Sequence, residues 1–157
     1  MNAGARSILV LFSYHHNNTR KIAEVFAEVL EAQIRTPQEI GPEELQQYDL
    51  IGFGSGIYGG EHHRDLLDLA DRLPSVVGKK VFLFSTSYDT RIELIHSSLK
   101  KRLEPKGYII VDEFNCGGFN TNSFLKYFGG LNKGRPNAED LKHAEGFAQG
   151  LKRKMET

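Results

Sequence analysis

Ser-Ile-Leu-Val-Leu-Phe-Ser-Tyr-His-His-Asn-Asn-Thr, residues 7–19, changes character at its midpoint. Ile8 to Phe12 is an unbroken apolar run, the pattern of a strand covered on both faces. From Ser13 onward every residue carries a hydroxyl, imidazole or amide. Ile22, Phe26, Val29 and Leu30 then recur at helical spacing, which predicts a helix from about Thr19 to Ala32 with Asn17 or Asn18 as its cap. A buried strand that stops at a polar turn and runs into a helix N-terminus is suited to anions. The first helical turn has unpaired N–H groups and a positive dipole end, and the turn adds side-chain donors.

The flanking sequence repeats this alternation. Gln33 to Thr36 is a short strand candidate ended by Pro37, and Pro42 to Gln47 reads as a short helix. Leu50 to Phe53 is a second buried strand, and Gly54-Ser55-Gly56-Ile57-Tyr58-Gly59-Gly60 after it is expected as a turn. A helix follows with Leu66, Leu69, Ala70 and Leu73 on one face. Val81 to Phe84 is a third buried strand, ended by a polar turn over Ser85–Thr90. Ile92, Ile95, Leu99 and Leu103 then share a helix face that stops at Pro105 to Gly107, and a further strand starts at Tyr108 and reaches toward Phe114. Asn115 to Pro136 is irregular and rich in Gly and Asn, with Phe119, Phe124, Tyr127 and Phe128; such a length predicts a functional or locally packed loop. The last helix opens with Asn137 as cap and Asp140 three residues on, and carries Leu141, Ala144, Ala148 and Leu151 as its stripe.

Strands alternating with helices predict one α/β domain over residues 1–157, an open five-stranded parallel sheet with helices on both faces. Right-handed crossovers favour the doubly wound order 2-1-3-4-5. Ligands of such sheets bind beyond the carboxyl ends of the strands, where the winding reverses. Here those ends are the turns Ser13–Thr19, Ser55–His63 and Ser85–Thr90.

Bulk properties narrow the partners. Lys plus Arg and Asp plus Glu number 20 each, so net charge draws the chain neither to nucleic acid nor to an anionic membrane. No apolar run approaches membrane-spanning length, and Met1 to Arg6 is too short and polar for a signal peptide. With the single cysteine Cys116, these features give a cytoplasmic expectation.

The side chains in the turns allow several chemistries. Backbone N–H groups, Asn18 and the Thr19 hydroxyl suit a terminal phosphate, although Asn17-Asn18-Thr19 reads equally as a plain helix cap. Gly54-x-Gly56-x-x-Gly59 matches the dinucleotide fingerprint formally but follows the wrong strand. Tyr58 and Tyr88 could stack on a planar ring, the alternative for Tyr58 being an exposed loop aromatic. His15-His16 and His62-His63 lack the Cys or carboxylate companions of a zinc site, so no metal is expected; anion or ring-edge contacts fit better, with one of each pair solvated. Ser55 fails the nucleophile-elbow spacing, because Phe53 and Ile57 stand where glycines belong, and no catalytic residue emerges. Cys116 is expected as a buried small hydrophobe, and His96 and His143 as surface residues of helices.

Taken together, the three turns resemble the flavodoxin family. Its phosphate loop, roughly Ser/Thr-x-Thr-Gly-Asn-Thr, lies over Tyr14 to Thr19, with Asn18 and Thr19 matching. A closer likeness is to small prokaryotic flavodoxin-family proteins carrying Ser-Tyr-His-His-x-Asn-Thr, Ile-Gly-Phe-Gly-Ser-Gly-Ile-Tyr-x-Gly-x-His-His and Asn-Lys-Gly-x-Pro-Asn. These stand here at Ser13–Thr19, Ile51–His63 and Asn132–Asn137. The resemblance implies a flavodoxin-like three-layer sandwich with one non-covalent FMN. It implies contacts from Ser13, His15, His16, Asn17, Asn18 and Thr19 around the phosphate. Ser55, Gly56, Ile57, Tyr58, Gly59 and Gly60, with Ser85, Thr86, Ser87 and Tyr88, would flank the ring. It further implies electron transfer between a reductase and an acceptor protein, with Gly59 and Gly60 letting a peptide rotate toward the flavin N5. Carriers of this family are strongly acidic and this chain is neutral. An FMN-dependent NAD(P)H oxidoreductase acting on a quinone or other small acceptor therefore stands as the alternative, and a binding module without flavin as a third reading.

Overall fold

The protein, described by a computed structural model over residues 4–13, 18–117 and 136–156, is built on a parallel sheet with helices on both faces. Its strands are β1 (Ser7–Phe12), β2 (Gln33–Arg35), β3 (Leu50–Tyr58), β5 (Lys79–Thr86) and β6 (Tyr108–Cys116). A two-residue strand, β4 (Glu61–His62), pairs antiparallel with the end of β3. The parallel order is β2-β1-β3-β5-β6, which with β4 set aside is the expected 2-1-3-4-5. The helices are α1 (Asn18–Leu30), α2 (Arg64–Arg72), α3 (Ile92–Ile95), α4 (Ser97–Leu103) and α5 (Ala138–Glu156).

Period-two alternation divides the core. Ile8, Val10, Ile51, Phe53, Val81 and Leu83 face α2 and α4, where Leu66, Leu69, Leu99 and Leu103 meet them. Leu9, Leu11, Phe82 and Phe84 face α1 and α5, against Ile22, Phe26, Ala144, Ala148 and Leu151. On this second face Gly52 and Gly54 are required to be small. A Cβ would lie 2.4 Å from the Phe82 ring at Gly52 and 2.1 Å from the Phe84 ring at Gly54. The glycines thus make room for two phenyl rings that also pack edge-on against Phe26. The α5 cap forms as read from sequence: Asp140 N–H donates to Asn137 Oδ1 and Asn137 N–H to Asp140 Oδ2, both at 2.9 Å.

Three expectations are corrected. The stretch from Gly54 to Tyr58 is strand, with Gly54 to Gly56 paired to β1 or β5 and Ile57 and Tyr58 to β4, so only Gly59 and Gly60 form the turn. Their φ values of +61° and +86° are those of a two-residue hairpin turn with both central residues left-handed. The helix from Ile92 to Leu103 is broken at His96 (φ −96°, ψ −2°), where α3 ends and α4 begins. The final strand runs beyond Phe114 to Cys116, after a register shift opposite Val81 and Phe82. Among the described residues no helix is long and apolar enough to cross a membrane.

Candidate functional site

The described ends of the three bends meet at the carboxyl rim. Phe12, Ser55, Ser85 and Asn115 lie in one register row across β1, β3, β5 and β6, and the bends follow within a few residues. Where they meet, the Thr19 hydroxyl at the start of α1 and the Thr86 hydroxyl at the end of β5 share a buried hydrogen bond of 2.7 Å. A segment distant in sequence is thereby tied to the first bend. Ser13 follows β1, and its buried Oγ has no hydrogen-bond partner among the described residues. Asn18 and Thr19 begin the first turn of α1, so the N-terminal end of this helix lies at the same rim. His15, His16 and Asn17, with Tyr14, lie outside the described residues, as does the 118–135 part of the long irregular stretch and most of the motif at Asn132–Asn137.

The second bend is a latched hairpin. Ser55 is fully buried, with its hydroxyl donating to the Gly56 carbonyl at 2.5 Å and accepting the His63 N–H at 3.0 Å. That hydroxyl is committed to shape. His63 caps α2 by accepting the Asp65 N–H on Nδ1 at 3.0 Å, and its ring stacks on Phe12 with centroids 3.5 Å apart and 9° between planes. Tyr58 is half-buried and meets Phe12 and His63 edge-on. A Cβ at Gly56 would come within 3.3 Å of the Tyr58 hydroxyl, so the ring folds back over the strand. Gly59 and Gly60 are exposed with open space beside them, and Ile57 is half-buried opposite His62. His62 is buried rather than solvated: its Nε2–H donates to the Phe84 carbonyl at 3.0 Å. Neither histidine of this pair is therefore a free turn residue.

The third bend is pinned from below. Ser85 and Thr86 end β5 and are buried. Ser87 donates its N–H to the Cys116 carbonyl at 3.0 Å and its hydroxyl to the Asp89 carbonyl in a short contact. Arg91 grips the Asp89 carboxylate through its backbone N–H and guanidinium, which holds that carboxyl well below its usual range, at about 2. Tyr88 stands 65% exposed at the tip. Cys116 is buried among apolar neighbours, as expected from sequence.

Sequence reasoning missed what lies under this bend. His96 was expected at the surface and is fully buried, because the break between α3 and α4 turns its ring inward. Its Nε2 lies 2.7 Å from Ser85 Oγ and its Nδ1 2.9 Å from Glu113 Oε1. Glu113 also binds Lys100 Nζ at 3.0 Å. Asn115 Nδ2 donates to Ser85 Oγ at 2.9 Å and Ser87 Oγ at 3.1 Å. Burial and the nearby Lys100 cation lower the His96 pKa to about 4 despite the carboxylate beside it. Burial foremost, with His96 adding to it, lowers that of His62 to about 3. Both rings are neutral at pH 7. No spacing in the chain announces Glu113, Asn115 and His96 as a group. His143, in contrast, is exposed on α5, as read.

Comparison with known proteins agrees with this geometry. The family model of the flavodoxin domain matches residues 9–117, which hold all three bends. The chain is 41% identical over 147 residues to an uncharacterized protein of Methanocaldococcus jannaschii, covering 93% of this chain and 97% of that one. Among solved structures it is similar to oxidised flavodoxin 2 of Bacillus cereus, with a TM-score of 0.69, 23% identity, and 96% and 99% of the two chains covered. It is also similar to an oxidoreductase of Corynebacterium diphtheriae, with a TM-score of 0.64, 14% identity, and 98% of each chain covered.

Proposed function

The chain belongs to the flavodoxin domain family, and from that premise we propose that it binds one FMN at the carboxyl rim and passes electrons between a reductase and an acceptor protein. The single observation that carries the reading is the Thr19–Thr86 hydrogen bond of 2.7 Å, which ties a helix N-terminus suited to phosphate to the bend that would border the ring.

The residues fit the group. Ser13 Oγ is a buried hydroxyl without a partner among the described residues, placed where a phosphate would take its proton. The α1 N–H groups and Asn18 supply further donors, and His15, His16 and Asn17 complete the proposed phosphate set. Either threonine of the buried pair can donate to the other, so Thr19 keeps its proton for the phosphate when Thr86 gives its own. Gly56, Ile57 and Tyr58 border the ring from β3, and Ser87 and Tyr88 from the far side. Ser55, Ser85 and Thr86 act one layer lower by fixing the shape of those bends. Gly59 and Gly60, already left-handed, tolerate peptide rotation next to the ring without a Cβ penalty. FMN supplies one- and two-electron chemistry when bound; the protein's part is to orient it, shield it and set its potential.

The test is a visible absorption spectrum of purified protein after addition of FMN, followed by NAD(P)H with no partner present. A yellow, FMN-retaining protein that turns over almost no NAD(P)H supports the carrier. Sustained NAD(P)H oxidation favours the oxidoreductase, which the neutral overall charge also permits. A protein left colourless after addition of FMN overturns the flavin reading.

A further inference from the structure

Beneath the third bend, hydrogen bonds run in one direction from a single charge. Glu113 takes Lys100 Nζ at 3.0 Å and, as a carboxylate, only accepts. The proton of the 2.9 Å contact with His96 must then sit on Nδ1. The neutral ring is left with a bare Nε2, which takes the hydroxyl proton of Ser85 at 2.7 Å. Ser85 Oγ, its proton spent, accepts from Asn115 Nδ2 at 2.9 Å. The second amide proton of Asn115 goes to Ser87 Oγ at 3.1 Å, and Ser87 in turn donates to the Asp89 carbonyl. The Ser85 carbonyl, a further acceptor, lies 3.4 Å from the same nitrogen. The orientation of the Asn115 amide is therefore decided by Glu113, three links away. It leaves Asn115 Oδ1 a buried acceptor with no donor among the described residues.

A buried carbonyl oxygen without a donor is costly unless something arrives to fill it. Glu–His–Ser in this order also activates serine nucleophiles, but here the oxygen of Ser85 is occupied by Asn115 Nδ2. The function of the relay lies at its far end. We infer that Asn115 is a ligand-reading residue, its Oδ1 accepting the imide N–H of a flat heteroaromatic ring, and that Glu113, His96 and Ser85 are positioning residues that hold its amide in that sense. The inference rests on the FMN reading, since the oxidised flavin ring offers one such N–H, at N3.

The experiment uses the full chain with FMN and with FMN methylated at N3. Wild type binds FMN more tightly by a factor on the order of ten, the worth of one buried hydrogen bond. Asn115→Leu binds the two flavins alike. In Glu113→Gln the amide must turn its oxygen to Lys100 and its NH2 to His96, so the imidazole proton moves to Nε2, the relay reverses and the preference for FMN falls. Ring nitrogen chemical shifts of His96 in the ligand-free protein report this directly: Nδ1–H in wild type, Nε2–H in Glu113→Gln. Wild type binding both flavins equally overturns the Asn115 assignment while leaving FMN binding intact, and so does discrimination that survives Asn115→Leu. An Nε2–H tautomer in wild type overturns the relay. Failure of wild type to bind either flavin overturns the FMN reading and the Asn115 assignment with it.

Discussion

His62 and His96 lie ring against ring, 4.8 Å between centroids, and the fold keeps both neutral. The unfolded chain binds protons on these rings near pH 6.5, whereas the folded protein waits until about 4 for His96 and about 3 for His62. Between those values the unfolded state holds more protons, so stability rises with pH. Their contribution is complete above about pH 6.5 and is lost progressively as pH falls toward 4 and then 3. Urea unfolding from pH 7 to pH 4 should show this loss, and His62→Gln should flatten it; an unchanged slope would remove His62 as a source. Thr19 and Tyr88 differ in the same physical terms. Thr19 is buried at the helix start, and Tyr88 is mostly exposed. Thr19→Ala should raise the FMN dissociation constant on the order of ten- to a hundred-fold, as for a hydrogen bond to a charged group. Tyr88→Ala should raise it less than about ten-fold, the ceiling for one stacking contact. Fluorescence titration of the apoprotein checks the order.

Among the elements, β3 shows how one sequence feature can have two causes. Its glycines from Gly54 onward suggest a turn, yet Gly54, like Gly52 before it, is there because a phenyl ring, Phe84 or Phe82, occupies the space a side chain would need. Phe84 is held by Phe26 and Phe82 and has little room to give. Gly54→Ala should therefore cost about 1–3 kcal/mol in chemical denaturation, the usual range for overpacking. Gly41→Ala, which meets open space, should cost almost nothing. Of the run from Gly54 to Gly60, only Gly59 and Gly60 carry left-handed backbone. On β6, register passes from Val81 opposite Ile110 to Phe82 opposite Asp112, so Val111 is skipped. Without that bulge Ser85 would face Phe114. With it, Glu113 and Asn115 join the face of Leu83 and Ser85 and come within reach of His96. A one-residue slip reverses side-chain faces, and nothing in Tyr-Ile-Ile-Val-Asp-Glu-Phe-Asn-Cys announces it.

For the molecule as a whole, equal numbers of acidic and basic residues leave little net field to steer a partner. Electron exchange between the FMN-loaded protein and a protein acceptor should change only a few-fold between low and high salt, because long-range attraction has little to screen. A steep decline in stopped-flow rates with salt would show instead that local charges do the steering. The apolar runs, their helical intervals and the polar ends of β1 and β5 were legible in the chain, because burial on both faces and helix periodicity write themselves into local composition. They sufficed for an α/β sheet of order 2-1-3-4-5 and for a rim where three bends meet. What sits beneath that rim was decided by contacts between residues far apart in sequence: Thr19 with Thr86, His96 with Glu113, Asn115 with Ser85. Such pairings depend on strand register and on the break at His96, which arise only when the sheet and its helices pack together.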